Sequence, residues 1–104
     1  VIQRTAELYG YNPVRQFGGH GIGKEMHEEP YIPNWDDIRA KDRFVAGKVY
    51  CLEPILSTSK KMAIGMDPND LWTTYLLDDQ PCAQFEHMIL VKPDKLGVEV
   101  LTDW

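Results

Sequence analysis

Val49-Tyr50-Cys51-Leu52-Glu53-Pro54-Ile55-Leu56 is an apolar run interrupted by one carboxylate and one proline. Its β-branched and aromatic residues read as a strand, and Pro54, which has no N–H to give to a ladder, ends or edges it. Side chains alternate across a strand, so Val49, Cys51 and Glu53 share one face. A second run, Ala83 to Val91, likewise places Gln84, Glu86 and Met88 together. A carboxylate within an apolar strand must be exposed, paired or bound to a cation, because burying it alone is very costly. If the two strands share a sheet, Glu53 and Glu86 project toward a common point.

Working outward, Ile2, Ala6 and Tyr9 fall at helical spacing, which predicts an amphipathic helix over Val1 to Tyr9 stopped by Gly10. Pro13 excludes helix, and Val14 to Phe17 reads as a short strand. Gly18-Gly19-His20-Gly21-Ile22-Gly23 holds four glycines in six positions, the mark of a backbone that must turn or approach closely. Glu28 to Asp42, with two prolines and many charges, reads as surface loop. Ser57 to Asp70 is polar, with a Pro68-Asn69 turn signal. Leu71 to Leu77 and Val98 to Thr102 suit further strands, the latter preceded by a turn over Lys92 to Gly97. No internal repeat or linker divides the chain. The expected fold class is α+β, one unit with an antiparallel sheet and a flanking helix.

The composition is that of a globular protein: 104 residues, 43% hydrophobic and 26% charged. The net charge of −5 argues against DNA or general nucleic-acid binding, which needs a basic surface to displace counterions. The apolar runs are too short to span a membrane, and no basic segment introduces a signal peptide. Cys51 and Cys82 do not make a disulfide framework. Each sits in a strand-like run, where a reduced cysteine acts as a small hydrophobe, so the expected compartment is cytoplasmic. The chain opens on Val1, already in helical register, and is expected to be part of a longer protein.

Four ionisable residues stand in unusual settings. His20 is embedded in glycines, His27 precedes two glutamates, and Glu53 and Glu86 interrupt apolar strands. Two glutamates and one histidine suit a divalent cation such as Mn, Fe, Co or Zn. Spacing alone leaves open the alternative of solvent-facing glutamates at strand edges. His87 faces away from Glu86 by alternation and reads as a structural histidine. The glycine run is not the GxGxxG fingerprint, and no parallel strand with an acidic residue some twenty positions on supports it, which argues against a dinucleotide cradle.

The strings Gly19-His20-Gly21-Ile22-Gly23, His27-Glu28-Glu29-Pro30, Leu52-Glu53-Pro54, Trp72 and Ala83-Gln84-Phe85-Glu86-His87 come one after another in this order, followed by Glu99-Val100-Leu101-Thr102. Together they resemble the C-terminal half of type I methionine aminopeptidases over nearly the whole sequence. The resemblance implies half of a pita-bread fold, in which two related α+β halves clasp a dinuclear metal centre, with residues 1–104 as the C-terminal half and the N-terminal half absent. It implies His20, Glu53 and Glu86 as metal ligands, with Glu53 also moving the proton of the attacking water. It further implies that His27 contacts substrate and stabilises the tetrahedral intermediate, and that Trp72 and Met26 border the pocket for the methionine side chain.

The same resemblance implies two divalent ions per complete site, an N-terminal methionine of peptides and nascent proteins as substrate, and further ligands from the missing half. The isolated chain is therefore expected to be inactive or nearly so. Departures are Met26 where phenylalanine is familiar, Ala46-Gly47 for Pro-Gly, and Met88 for threonine after Glu86-His87. Asp67 and Asp78 share the spacing of the family's aspartate pair but not its context. A proline-specific peptidase of the same fold and a non-catalytic binding module are the competing readings.

Overall fold

The structure is a computed structural model and describes residues 1–93 and 97–102. Its elements are α1 (Ile2–Leu8), β1 (Asn12–Pro13), β2 (Gly18–Ile22), β3 (Glu28–Pro33), β4 (Val49–Leu52), β5 (Ile55–Ser57), β6 (Ile64–Met66), β7 (Thr74–Leu76), β8 (Cys82–Gln84), β9 (His87–Val91) and β10 (Val98–Val100). They form a five-stranded sheet ordered β10-β9-β4-β2-β3, a three-stranded sheet β1-β5-β8 and a hairpin β6-β7. Every pairing is antiparallel.

Both long strands read from the sequence are split at corresponding points. β4 pairs with β9 as far as Leu52↔His87, and β5 pairs with β8 from Ile55↔Gln84. The register is the same on both sides of the break, which sets Glu53 opposite Glu86 and Pro54 opposite Phe85. Pro54 has no N–H to continue the ladder, so the pair bends there from one sheet into the other. A long bond from Phe85 N to Pro54 O, 3.4 Å, spans the step.

The glycine run forms β2, between β3 and β4. Gly19 explains the need for glycine, because a Cβ there would run into the Cys51 carbonyl. The β2-β3 register shifts between His20, which faces Tyr31, and Gly21, which faces Glu28. Helix α1 ends as the sequence predicts, with Gly10 at φ 79°. Gly10 N bonds Glu7 O and Tyr11 N bonds Ala6 O, the paired closure of a Schellman motif. Ala6 is buried, but Tyr9, beyond the last helical turn, is exposed rather than packed with it.

Three sequence expectations shift. Val14 to Phe17 is not a strand; Asn12–Pro13 takes that place at the sheet edge, with Val14 N donating to Ile55 O. Glu28 to Asp42 is not all loop, since its first residues form β3, whose Pro30 and Pro33 are tolerated because the strand is an edge. Ile64–Met66, within the stretch read as polar connection, pairs with β7. The predicted turn over Lys92 to Gly97 is closed by Lys92 N to Gly97 O, 2.9 Å, and its residues 94–96 lie outside the described residues.

Part of the core lies on one face of the large sheet. Tyr50 and Ile89, cross-strand partners, are both buried. The Tyr50 hydroxyl accepts from Val45 N at 3.0 Å, and Phe44 meets the ring edge-on at 4.9 Å between centroids. No helix is long and apolar enough to cross a membrane among the described residues.

Candidate metal and substrate site

On the opposite face of that sheet the register aligns His20, Cys51 and Met88 across β2, β4 and β9. Glu53, just past the end of β4, and Glu86, just ahead of β9, continue the same alternation at the step between sheets. The His20 ring is fixed by its Nδ1, which donates to the Gly21 carbonyl at 2.8 Å, since a carbonyl only accepts. Its Nε2 lies 3.2 Å from Glu53 Oε1, with both side chains largely shielded, at 13% and 17% exposure. In a neutral ring this Nε2 is a bare acceptor facing a second acceptor, an arrangement that is favourable only with a proton or a cation shared between them.

The charges point the same way. The Glu53 carboxyl is pushed above its ordinary value first by burial and then by the Glu86 carboxylate, with His20 and His27 pulling it back. Burial, helped by a hydrogen bond to Glu86 and by the Glu86 and Glu53 charges, pushes the Cys51 thiol up to about 11. Gln84 Nε2 donates to the second Glu53 oxygen at 3.2 Å. Ligand atoms of His20, Cys51 and Glu86 all lie within 4.8 Å of one another. Two carboxylates converging on an imidazole nitrogen fit a divalent cation, whose charge relieves the repulsion between them.

His27 sits in the β2–β3 loop, its ring 4.4 Å from that of His20 and tilted by 60°. Both rings open onto a cavity of about 890 Å³ that is also lined by Glu53, Gln84 and Tyr31 and, on its apolar side, by Ile55, Met66, Leu71 and Trp72. The Tyr31 phenol is pushed up by burial and by the carboxylates of Glu53 and Asp37. Trp72 is 85% exposed beside Leu71, which the turn holds at φ 53°.

Of the residues singled out from sequence, His20, His27, Glu53 and Trp72 share this cavity, and Glu86 reaches His20 from the side of Cys51. Met26 is 71% exposed and is not among the cavity-lining residues. His87 is held through Nδ1 by the carbonyl and hydroxyl of Thr102, each at 3.0 Å, as a structural histidine should be. Asp67 accepts from Asn69 and Asp78 from Ser59 and Gln80, so both serve local turns. Both cysteines are free; Cys51 is buried, but Cys82 is exposed, on an outer strand that leaves its side chain uncovered. Cys51, Gln84, Met66 and Leu71 join the site without having been singled out by sequence. Alternation alone already puts Cys51 beside Glu53 and Gln84 beside Glu86.

The chain has relatives among known proteins. The profile of metallopeptidase family M24 matches residues 1–93. The chain belongs to that family. Its M24 relatives include the methionine aminopeptidase of Chlamydia pneumoniae, 38% identical over 102 residues, which cover 98% of this chain and 34% of the relative. Methionine aminopeptidase A of Synechocystis is 41% identical over 102 residues, 98% of this chain and 39% of the relative. The crystal structure of methionine aminopeptidase from Thermotoga maritima superposes with a TM-score of 0.87 at 36% identity, over 99% of this chain and 40% of that one. The M24 chain thus carries part of the pita-bread fold and spans only 34% to 40% of the length of these three proteins.

Proposed function

We propose that this chain is the C-terminal half of the catalytic domain of an aminopeptidase that removes N-terminal methionine from peptides and nascent proteins. The observation that carries the reading is the meeting of His20, Glu53 and His27 on one cavity with an apolar side, with Glu86 alongside. His20, Glu53 and Glu86 are the residues that would hold metal, two ions in the complete site and drawn from Mn, Fe, Co or Zn. Bound divalent cations supply Lewis acidity, which brings water near neutral pKa and polarises the scissile carbonyl.

The chain's own residues account for the rest. Glu53, already raised in pKa and oriented by Gln84, takes the proton of the attacking water and passes it toward the leaving amine. His27, on the cavity wall, donates to the carbonyl oxygen as charge develops there, an interaction worth about 3 kcal/mol in such sites. Trp72, Leu71, Met66 and Ile55 offer an apolar, partly thioether surface suited to a methionine side chain. The remaining ligands belong to an N-terminal half, the other partner in this reading, and the 104-residue chain alone is inactive. The compartment is the cytoplasm. The relatives named above favour methionine over proline specificity.

The test is hydrolysis of a Met-Ala peptide and an Ala-Pro peptide, with Mn²⁺ or Co²⁺, by the chain alone and by the chain complemented with the N-terminal half of a relative. Turnover of Met-Ala only on complementation, and its loss in Glu53→Gln, is expected. Turnover of Ala-Pro would overturn the specificity, and turnover by the chain alone would overturn its incompleteness.

A further inference from the structure

We propose that Cys51 is a metal donor, so that His20, Cys51 and Glu86 form a second donor set for a thiophilic divalent ion such as Zn²⁺ or Cd²⁺. The inference rests on the metal-site reading above and adds to it a residue with different chemistry. Cys51 is 2% exposed, yet it does not lie in a purely apolar pocket. Its strand register places it directly across from His20, and its sulfur, the imidazole and a Glu86 oxygen all fall within 4.8 Å of one another. Donors around a tetrahedral zinc are about 3.5 Å apart, so the three need close by roughly an ångström, within the reach of side-chain rotation. His20 Nδ1 is occupied by the Gly21 carbonyl, leaving Nε2 as the ligating nitrogen.

Glu53 touches His20 from the cavity side but stands outside this cluster. The chain therefore holds two overlapping sets that share His20 and Glu86. One is completed by the oxygen of Glu53 and suits harder ions such as Mn²⁺; the other is completed by the sulfur of Cys51 and suits softer ones. On binding, the thiol S–H bond breaks, the sulfur keeps the electron pair and bonds to the ion, and the proton leaves to solvent. No redox change is involved.

The experiment uses the full 104-residue chain carrying Cys82→Ser, because Cys82 is exposed and would bind the probe itself. Titration with Cd²⁺ is expected to raise an ultraviolet sulfur-to-cadmium charge-transfer band that saturates at one ion per chain. Adding Cys51→Ser should abolish the band and weaken Cd²⁺ about tenfold or more, while Mn²⁺ affinity stays within about threefold. The band needs no substitution at position 51, so the test survives a poorly folding variant. Cd²⁺ bound without the band, or an unchanged ratio of Cd²⁺ to Mn²⁺ affinity in Cys51→Ser, overturns the role of Cys51 and leaves the metal reading standing. Binding of neither ion overturns both.

Discussion

Substituting Gly19→Ala tests whether the glycine run exists to bring His20 against β4. The added Cβ would overlap the Cys51 carbonyl oxygen and lie 3.2 Å from its carbon and 3.4 Å from Leu52 Cα, all backbone atoms that no side-chain rotation can move away. The strands must part by roughly an ångström to restore ordinary contact. Overpacking of this kind costs about 1–3 kcal/mol, and each β2–β4 hydrogen bond stretched beyond use adds about 1 kcal/mol. The expected loss is about 2–4 kcal/mol in urea unfolding. Because His20 is the next residue and pairs with Cys51, the same displacement should lower Mn²⁺ affinity about tenfold or more. Gly10→Ala is the control. Nothing lies within 4 Å of its Cβ position, but φ is 79°, so it should cost about 1–2 kcal/mol and leave metal affinity unchanged. A Gly19→Ala chain that loses less than about 0.5 kcal/mol and binds Mn²⁺ as before would refute the reasoning.

Other perturbations probe the supports of the site. Tyr50→Phe leaves Val45 N–H without its buried acceptor and should cost about 1–2 kcal/mol by urea denaturation. Ser57→Ala removes a buried hydroxyl that donates to Pro81 O at 2.8 Å and accepts from Ser59 N at 3.0 Å, with an expected cost of about 2 kcal/mol by the same measurement. For pH, the Glu53 carboxyl is held above its ordinary value in the folded chain, so the native state binds the extra proton. Its contribution to stability is full below the ordinary carboxyl range and is lost as pH rises through the raised native value. Urea midpoints of the metal-free chain should show that fall, and Glu53→Gln should flatten it; an unchanged slope in the variant would count against the electrostatic picture.

How much of this is legible in the residues depends on the range of the interaction that fixes each part. The Gly10 stop is local, since a left-handed backbone after a helical run favours glycine, and it is readable from the sequence. Alternation gives the shared face of Cys51 and Glu53 because that too is set within one strand. The strand β3 is hidden by Pro30 and Pro33, which forbid a central strand but not an edge, and edge position is a property of the whole sheet. Asn12–Pro13 escapes a sequence reading for the same reason. The apolar side of the cavity is out of reach as well: Met66 and Leu71 meet His20 and Glu53 only through the β6-β7 hairpin, and no period in the sequence links them.

The break at Pro54 joins these threads. A continuous β4-β5 strand would keep Glu53 hydrogen-bonded into one flat sheet, opposite Glu86, with two carboxylates crowding one face. Proline removes the N–H that would bond Phe85 O on the next rung, and the pair steps from the five-stranded sheet to the three-stranded one there. The step opens Glu53 onto the cavity with His20 and His27, while Glu86 stays exposed on the side of Cys51. Across the step the two like charges still act on one another, and both lie within reach of the same imidazole. On this reasoning Pro54→Ala should draw the carboxylates together, raising Glu53 further and destabilising the metal-free chain as pH rises. Saturating Mn²⁺ should recover most of the loss; if the destabilisation is the same at all pH values and with metal, the proline acts through backbone geometry alone.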